Sequence, residues 1–189
     1  GIFGYGENNS EAYIATSNKV SNAGVVATDV AGVGSARVLV AGCEYGGDKG
    51  AFAFGYGPGH EWLSITNLVS TAGVIASDVS FTGTGRQSPG GCSYGGDKGI
   101  FGYGYKSGGP SVNMSNLLSN TGVMASDVTG VGTSRDAIAA CEYGQDKGLF
   151  GYGGGPTNVT NLVSNTGVVT TDVTGVGTAR SELAGCSYN

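Results

Sequence analysis

The chain has 189 residues, 38 of them glycine, with only 12% charged side chains and a formal net charge of −5. Four prolines without a G-X-Y period exclude collagen, and regular apolar spacing argues against a disordered polymer. Nine basic residues, spread thinly among fourteen acidic ones, leave no footprint for nucleic acid or an anionic membrane surface, and no apolar run approaches the ~18 residues of a membrane span.

The first predicted strand is Ile-Phe-Gly-Tyr-Gly at 2–6, and a turn, Gly-Gly-Asp-Lys-Gly, follows at 46–50. A variant of the first strand is expected at 54–57, the same turn at 95–99, and Ile-Phe-Gly-Tyr-Gly again at 100–104. Ala-Ala-Cys-Glu-Tyr at 139–143 reads as a cysteine-bearing strand, followed by the aromatic–glycine strand at 149–153. Val-Thr-Asn-Leu-Val-Ser at 159–164 then runs through Asn-Thr-Gly at 165–167 into Val-Val-Thr-Thr-Asp-Val at 168–173. Apolar alternation over four to six residues, bounded by Gly, Asn and Asp, is the signal of half-buried strands joined by tight turns. Gly, Val and Thr are too abundant, and a 3.6-residue period too absent, for helices.

These elements belong to one unit written four times. Asn18, Asn67, Asn116 and Asn161 recur in order, as do Asp29, Asp78, Asp127 and Asp172, Arg37, Arg86, Arg135 and Arg180, and Cys43, Cys92, Cys141 and Cys186. The steps are 49, 49 and 45 residues, while Asp to Arg is always eight and Arg to Cys always six. A unit of four short strands near this length predicts an all-β chain folded as a single four-bladed β-propeller, with four antiparallel strands per blade. Gly1 aligns with Gly50, Gly99 and Gly148, so the chain starts at a second strand, and Cys186-Ser187-Tyr188-Asn189 reads as a first strand. The C-terminal strand is therefore expected to complete the N-terminal blade and close the ring. The blades would cover about 1–36 plus 181–189, 37–85, 86–134 and 135–180 of one domain, 1–189. A start at Gly1 rather than Met is expected of a processed chain or a fragment, from which a signal has had the chance to be removed.

The order of an Arg, a cysteine strand, an aromatic–glycine strand and two further strands resembles the kelch repeat. It departs from it where kelch blades carry Gly-Gly after the second strand and a Trp in the fourth. The chain is also similar in pattern to Gly-Tyr-Gly/Asn-Thr-Gly-Val repeats of structural and adhesive proteins of tailed phages and environmental bacteria. That resemblance implies an extracellular or virion-surface setting.

The cysteines, placed on presumed innermost strands, suggest a four-thiolate site round a channel, but residues about 49 apart on separate strands read better as small buried side chains. Disulfides are not expected, because fourfold symmetry holds equivalent cysteines apart. The pairs Asp29/Arg37, Asp78/Arg86, Asp127/Arg135 and Asp172/Arg180 recur in every unit and are expected to be structural, the Arg bonding turn carbonyls or the carboxylate across a blade junction. Phe3/Tyr5, Phe54/Tyr56, Phe101/Tyr103 and Phe150/Tyr152 lie two apart and read as packing between blades, with a sugar-stacking platform as the alternative. Variation concentrates at 7–17, 58–65, 105–114 and 153–159, as binding loops require. His60, Glu61 and Trp62, with Tyr13, Tyr105 and Lys106, are the candidate contacts for a ligand or partner. Asn8, Asn113 and Asn158 match N-x-[ST] and are candidate glycosylation sites if the protein is secreted.

One histidine permits no multi-histidine metal centre and no His-based triad away from His60, so no catalytic residue, metal or cofactor is assigned and an enzyme is not expected. A copper oxidase of kelch-like type would need several His ligands. The expected function is a structural or assembly module of a virion, tail or extracellular appendage, contacting copies of itself or neighbouring structural proteins through its variable loops. The alternative is a multivalent carbohydrate-binding adhesion module.

Overall fold

The computed structural model describes residues 1–188. It is all-β, and no helix among these residues is long and apolar enough to cross a membrane. Unit 1 is a hairpin of β1 (Ile2–Glu7) and β2 (Tyr13–Lys19). Unit 2 holds β3 (Ala41–Tyr45), β4 (Lys49–Ala53), β5 (Ile65–Val69) and the two-residue β6 (Val79–Ser80), joined in that order. In unit 3, β7 (Arg86–Gln87) precedes β8 (Gly90–Tyr94), β9 (Lys98–Gly102), β10 (Tyr105–Lys106) and β11 (Ser115–Leu118). The sheet order there is β8-β9-β11, with β7 and β10 paired separately. Unit 4 is β12 (Ala139–Tyr143), β13 (Lys147–Gly151) and β14 (Thr160–Val163).

The cysteine strands of units 2, 3 and 4 lie where the sequence puts them, whereas Cys186-Ser187-Tyr188 forms no regular strand and Asn189 lies outside the described residues; the four-bladed propeller is not what these elements build. The sheets hold two to four strands, and none closes on itself. The expected fourth strand survives only in unit 2, as the two-residue β6. In unit 4 it reduces to single bridges, Val163↔Val169 and Thr160↔Val173. A side chain competes with the ladder there: the Asn of the third strand turns its own amide onto the carbonyl opposite, Asn67 to Ala76, Asn116 to Ala125 and Asn161 to Thr170, each at 3.0–3.1 Å.

The sheets stack in an open row instead of ringing a channel. β8 lies between β3 and β12 so closely that a Cβ added at Gly91 would sit 2.8 Å from the Gly42 carbonyl oxygen. A backbone ladder continues the row, from Ser88 N–H to Leu39 O at 2.9 Å, Ala137 N–H to Ser88 O at 3.1 Å and Glu182 N–H to Ala137 O at 3.0 Å. Residues 184–188 follow this ladder onto β12, where Ser187 Oγ accepts the Glu142 N–H at 2.8 Å. Residues 184–188 therefore extend unit 4 and do not complete unit 1, which overturns the expected closure.

The core is a set of layers between units. Tyr45, Phe54, Phe101 and Leu118 form one, from units 2 and 3, and Tyr94, Tyr103, Ile138, Phe150 and Val163 form the next. No unit buries its faces alone, as in other stacked repeats. The aromatic register also needs one correction. The equivalents of Phe3/Tyr5 are Phe52/Phe54, because Tyr5, Phe54, Tyr103 and Tyr152 share a left-handed backbone (φ 62–66°) followed by Gly at φ 108–123°. Tyr56 lies outside that pattern.

Candidate functional site

Two groupings draw in the residues singled out by sequence: a buried polar triad repeated along the row, and a surface cluster on the variable segments.

In unit 2 the Arg37 guanidinium donates to Phe54 O (2.8 Å), Ser35 O (3.0 Å) and Asn67 Oδ1 (2.7 Å). Asn67 donates in turn to Asp78 Oδ1 at 2.8 Å, and Asp78 also accepts the backbone N–H and hydroxyl of Ser35. Unit 4 repeats this with Arg135, Asn161, Asp172 and Thr133. Unit 3 repeats it with Arg86, Asn116, Asp127 and Thr84, except that Arg86 reaches Phe101 O at 3.4 Å and its buried Nε has no partner among the described residues. The carboxylate partner is thus Asp78 for Arg37, Asp127 for Arg86 and Asp172 for Arg135. The Asp eight residues earlier in sequence belongs to the preceding unit, which corrects the expected pairs. Each guanidinium also covers an aromatic ring of that preceding unit: Arg37 over Tyr5 at 3.8 Å, Arg86 over Phe54 at 3.7 Å and Arg135 over Tyr103 at 4.2 Å. The Asn is the member that sequence reasoning used only as a marker; its fixed eleven-residue spacing to Asp was the available signal.

Burial pushes the carboxyls of Asp78, Asp127 and Asp172 up, but hydrogen bonds from the Ser or Thr and the Asn, with the arginine charge, leave each below the usual carboxylate range. A carboxyl depressed on folding contributes stability that is present above its unfolded pKa and lost as pH falls through the folded value. Urea midpoints are therefore expected to hold from neutral pH down to about 5 and to fall below about 4, near the unperturbed Asp value. A midpoint that did not move across that window would refute the coupling.

The cysteines stand in a file along the first strands, all four as free thiols. Burial holds the Cys43 thiol well above its ordinary value and Cys92 at about 12, so both stay protonated and unreactive. Among the described residues no group of three or more His, Cys, Asp or Glu side chains is placed to hold a metal ion.

The variable segments of units 1, 2 and 3 meet on one edge. Trp62 packs edge-on against Tyr56 at 5.0 Å, His60 Nδ1 shares a 2.9 Å hydrogen bond with the Tyr56 hydroxyl, and Tyr13 lies 6.4 Å from the Tyr56 ring. His60, Glu61, Trp62 and Lys106 line one shallow cleft with Thr84 and Gly85. Tyr105 pairs with Gln87 through β10 and does not line it. Tyr56 is the member missed by sequence reasoning, which had placed it in the repeated scaffold. The indole Nε1 of Trp62 is buried without a partner.

Asn8 lies on an exposed turn, its Oδ1 accepting the Ser10 and Ala12 N–H groups. Asn113 and Asn158 spend their amide nitrogens on Gly132 O at 2.6 Å and on Gly175 O at 3.0 Å, bonds that glycosylation at that nitrogen would compete with. No protein-family model matches the chain, and no curated protein matches it.

Proposed function

We propose that this chain is a non-catalytic structural subunit of a virion, tail or extracellular appendage, assembling with copies of itself or neighbouring structural proteins. The observation that carries this reading is a repeated apolar surface. Val25, Val74, Val123 and Val168 occupy one position in the four units and are 58–66% exposed, and Val30, Val79, Val128 and Val173 repeat a second position nearly as exposed. Isolated surface valines need no explanation, but the same two in every unit make two apolar files along the row, the kind of surface that contacts cover. The repeated triads lock scaffold polar groups to one another, which suits a rigid building block. The variable segments supply further contacts. Electron microscopy and sedimentation of the purified chain should show ordered assemblies; a strictly monomeric protein at every concentration would sink the reading.

A second reading, a carbohydrate-binding adhesion module, is favoured by Tyr13, Tyr56 and Trp62 gathered beside Glu61 and Lys106, since aromatic faces and flanking polar groups take sugar rings. Calorimetry against a glycan panel should then show binding that Trp62→Ala weakens by about tenfold, a loss of ~1.4 kcal/mol. Absence of binding to any glycan removes this reading and leaves the first intact.

A further inference from the structure

The two ends of the row are complementary halves of one repeat. In units 2, 3 and 4 the second strand is paired on both edges, with the cysteine strand on one side and the third strand on the other. In unit 1, among the described residues, β1 pairs only with β2, and Phe3 is 62% exposed where Phe101 and Phe150 are fully buried. The unpaired edge opens on a cleft of about 540 Å³ lined by Ile2, Lys19, Gly42, Cys43, Gly50 and Phe52. At the other end, residues 184–188 carry Ala-Gly-Cys-Ser-Tyr, the sequence type of the cysteine strand, and lie on β12 with no second strand beside them; Tyr188 is 95% exposed.

The polar triad is divided the same way. Asn18 and Asp29 are already joined at 2.7 Å, but among the described residues no guanidinium reaches Asn18 Oδ1 and no Ser or Thr caps Asp29. Arg180 already sits 4.1 Å over the Tyr152 ring and donates to Thr178 O, yet it reaches no Asn and no second-strand carbonyl. Units 2 and 4, where the guanidinium Nε donates to Phe54 O and Tyr152 O, say what is missing. Arg180 needs the equivalents of Phe54 O and Asn67 Oδ1, which are Tyr5 O and Asn18 Oδ1, and Thr178 needs Asp29. The unit-to-unit ladder is open at both ends too: Leu39 stands at its start with its N–H unused in it, and Glu182 stands at its finish with its carbonyl unused in it.

Resting on the assembly reading above and naming its contact, we infer that copies of this chain join head to tail. Residues 184–188 of one copy enter the cleft of the next and pair antiparallel with β1. The internal registers Gly42↔Phe52, Cys43↔Ala51 and Glu44↔Gly50 set the intermolecular ones as Gly185↔Phe3, Cys186↔Ile2 and Ser187↔Gly1. The inserted strand stacks on β3 as β3 stacks on β8, Arg180 closes the fourth triad on Asn18, and Glu182 O accepts the Leu39 N–H. Every contact is one that this sequence already makes within the chain, so a second copy fits where an unrelated partner would have to reproduce all of them. The row then continues from copy to copy at the spacing of the repeat, giving an unbranched fibre.

The experiment compares the 189-residue chain with a chain lacking residues 181–189, with Arg180→Ala and with Gly42→Val. Gly42 has only ordinary van der Waals space above it within one copy, whereas its equivalent Gly91 lies under a neighbouring strand's carbonyl, so Val at 42 folds but obstructs the cleft. Sedimentation velocity and electron microscopy should show linear polymers of the unaltered chain that lengthen with concentration. The deletion and Gly42→Val should stay monomeric with unchanged β circular dichroism, and Arg180→Ala should weaken end-to-end association by about tenfold or more. A peptide of residues 179–189 should bind the deletion variant, one per chain, and should not bind a variant that also carries Gly42→Val. Monomers of the unaltered chain, closed dimers, or polymers that survive both the deletion and Gly42→Val would overturn the inference. Polymers that survive those changes but are lost on substituting the exposed valines would overturn it while leaving the assembly reading standing.

Discussion

Arg86→Met is expected to lower the stability of the chain by about 3–5 kcal/mol in urea denaturation, whereas Arg180→Met should move it by no more than about 0.5 kcal/mol. Both arginines lie over an aromatic ring of the preceding unit, so stacking does not separate them. The difference is in what each leaves behind. Arg86 is fully buried, and its removal strips Asn116 Oδ1 of a 2.6 Å donor and Asp127 of a charge 3.8 Å away. Asp127 is partly exposed and can recover water, but Asn116 is fully buried and cannot. An orphaned buried acceptor costs about 1–3 kcal/mol, and the lost packing of a long side chain between two layers adds to it. Lys at 86 should not restore the loss, because one ammonium cannot span Thr84 O, Phe101 O and Asn116 Oδ1 as the planar fork does. The double variant Arg86→Met/Asn116→Leu should recover part of it by removing the orphan. A cost below about 1 kcal/mol for Arg86→Met would mean that the triad is not what joins the elements of a unit.

That triad also marks the limit of what the sequence discloses. Constant spacing from Asn to Asp and from Asp to Arg identifies a repeated unit and places its cysteine strand correctly at 139–143, because both follow from chain-local constraints. It does not say which Asp meets which Arg. The geometry pairs Arg37 with Asp78, forty-one positions on, since the loop between Asp29 and Arg37 carries the chain from one unit to the next. The fourth strand was over-read for a related reason: Val168–Val173 alternates as a strand should, but the Asn161 amide competes for the Thr170 carbonyl and only isolated bridges form. Closure failed at a longer range. Whether successive units rotate round an axis or stack in a row depends on how closely their backbones approach, and no period within a unit records that distance. The surface cluster was more legible, because Trp62 and His60 are unique in the chain and fall in a segment that breaks the repeat. Tyr56 was hidden by the run Phe-Ala-Phe-Gly-Tyr, which offers two aromatic pairs where the other units offer one.

The close approach that sets the row makes Gly91→Val a damaging substitution at the junction of units 2 and 3. An added Cβ at 91 would lie 2.8 Å from Gly42 O and 3.0 Å from two carbons of the Phe101 ring. Neither can yield cheaply. Gly42 O belongs to the backbone of β3, and the Phe101 ring is fully buried, edge-on to Phe54 at 6.0 Å in the layer between units 2 and 3. A forced methyl group in such a site costs about 1–3 kcal/mol, and the two further methyls of Val, which must point into the same gap, carry the expected loss past the upper figure. Because each layer is shared by adjacent units only, the damage should be directional. Native-state hydrogen exchange should find the β3–β8 contact and the Ser88-to-Leu39 ladder bond losing protection first, while β12, β13 and β14 keep theirs through the separate layer of Tyr103, Phe150 and Val163. The same change at Gly42, whose added Cβ meets nothing closer than 3.6 Å, should leave urea stability within about 0.5 kcal/mol. Uniform loss of protection along the chain after Gly91→Val, or equal penalties at 91 and 42, would contradict an open row whose first cysteine strand is bare on its outer side.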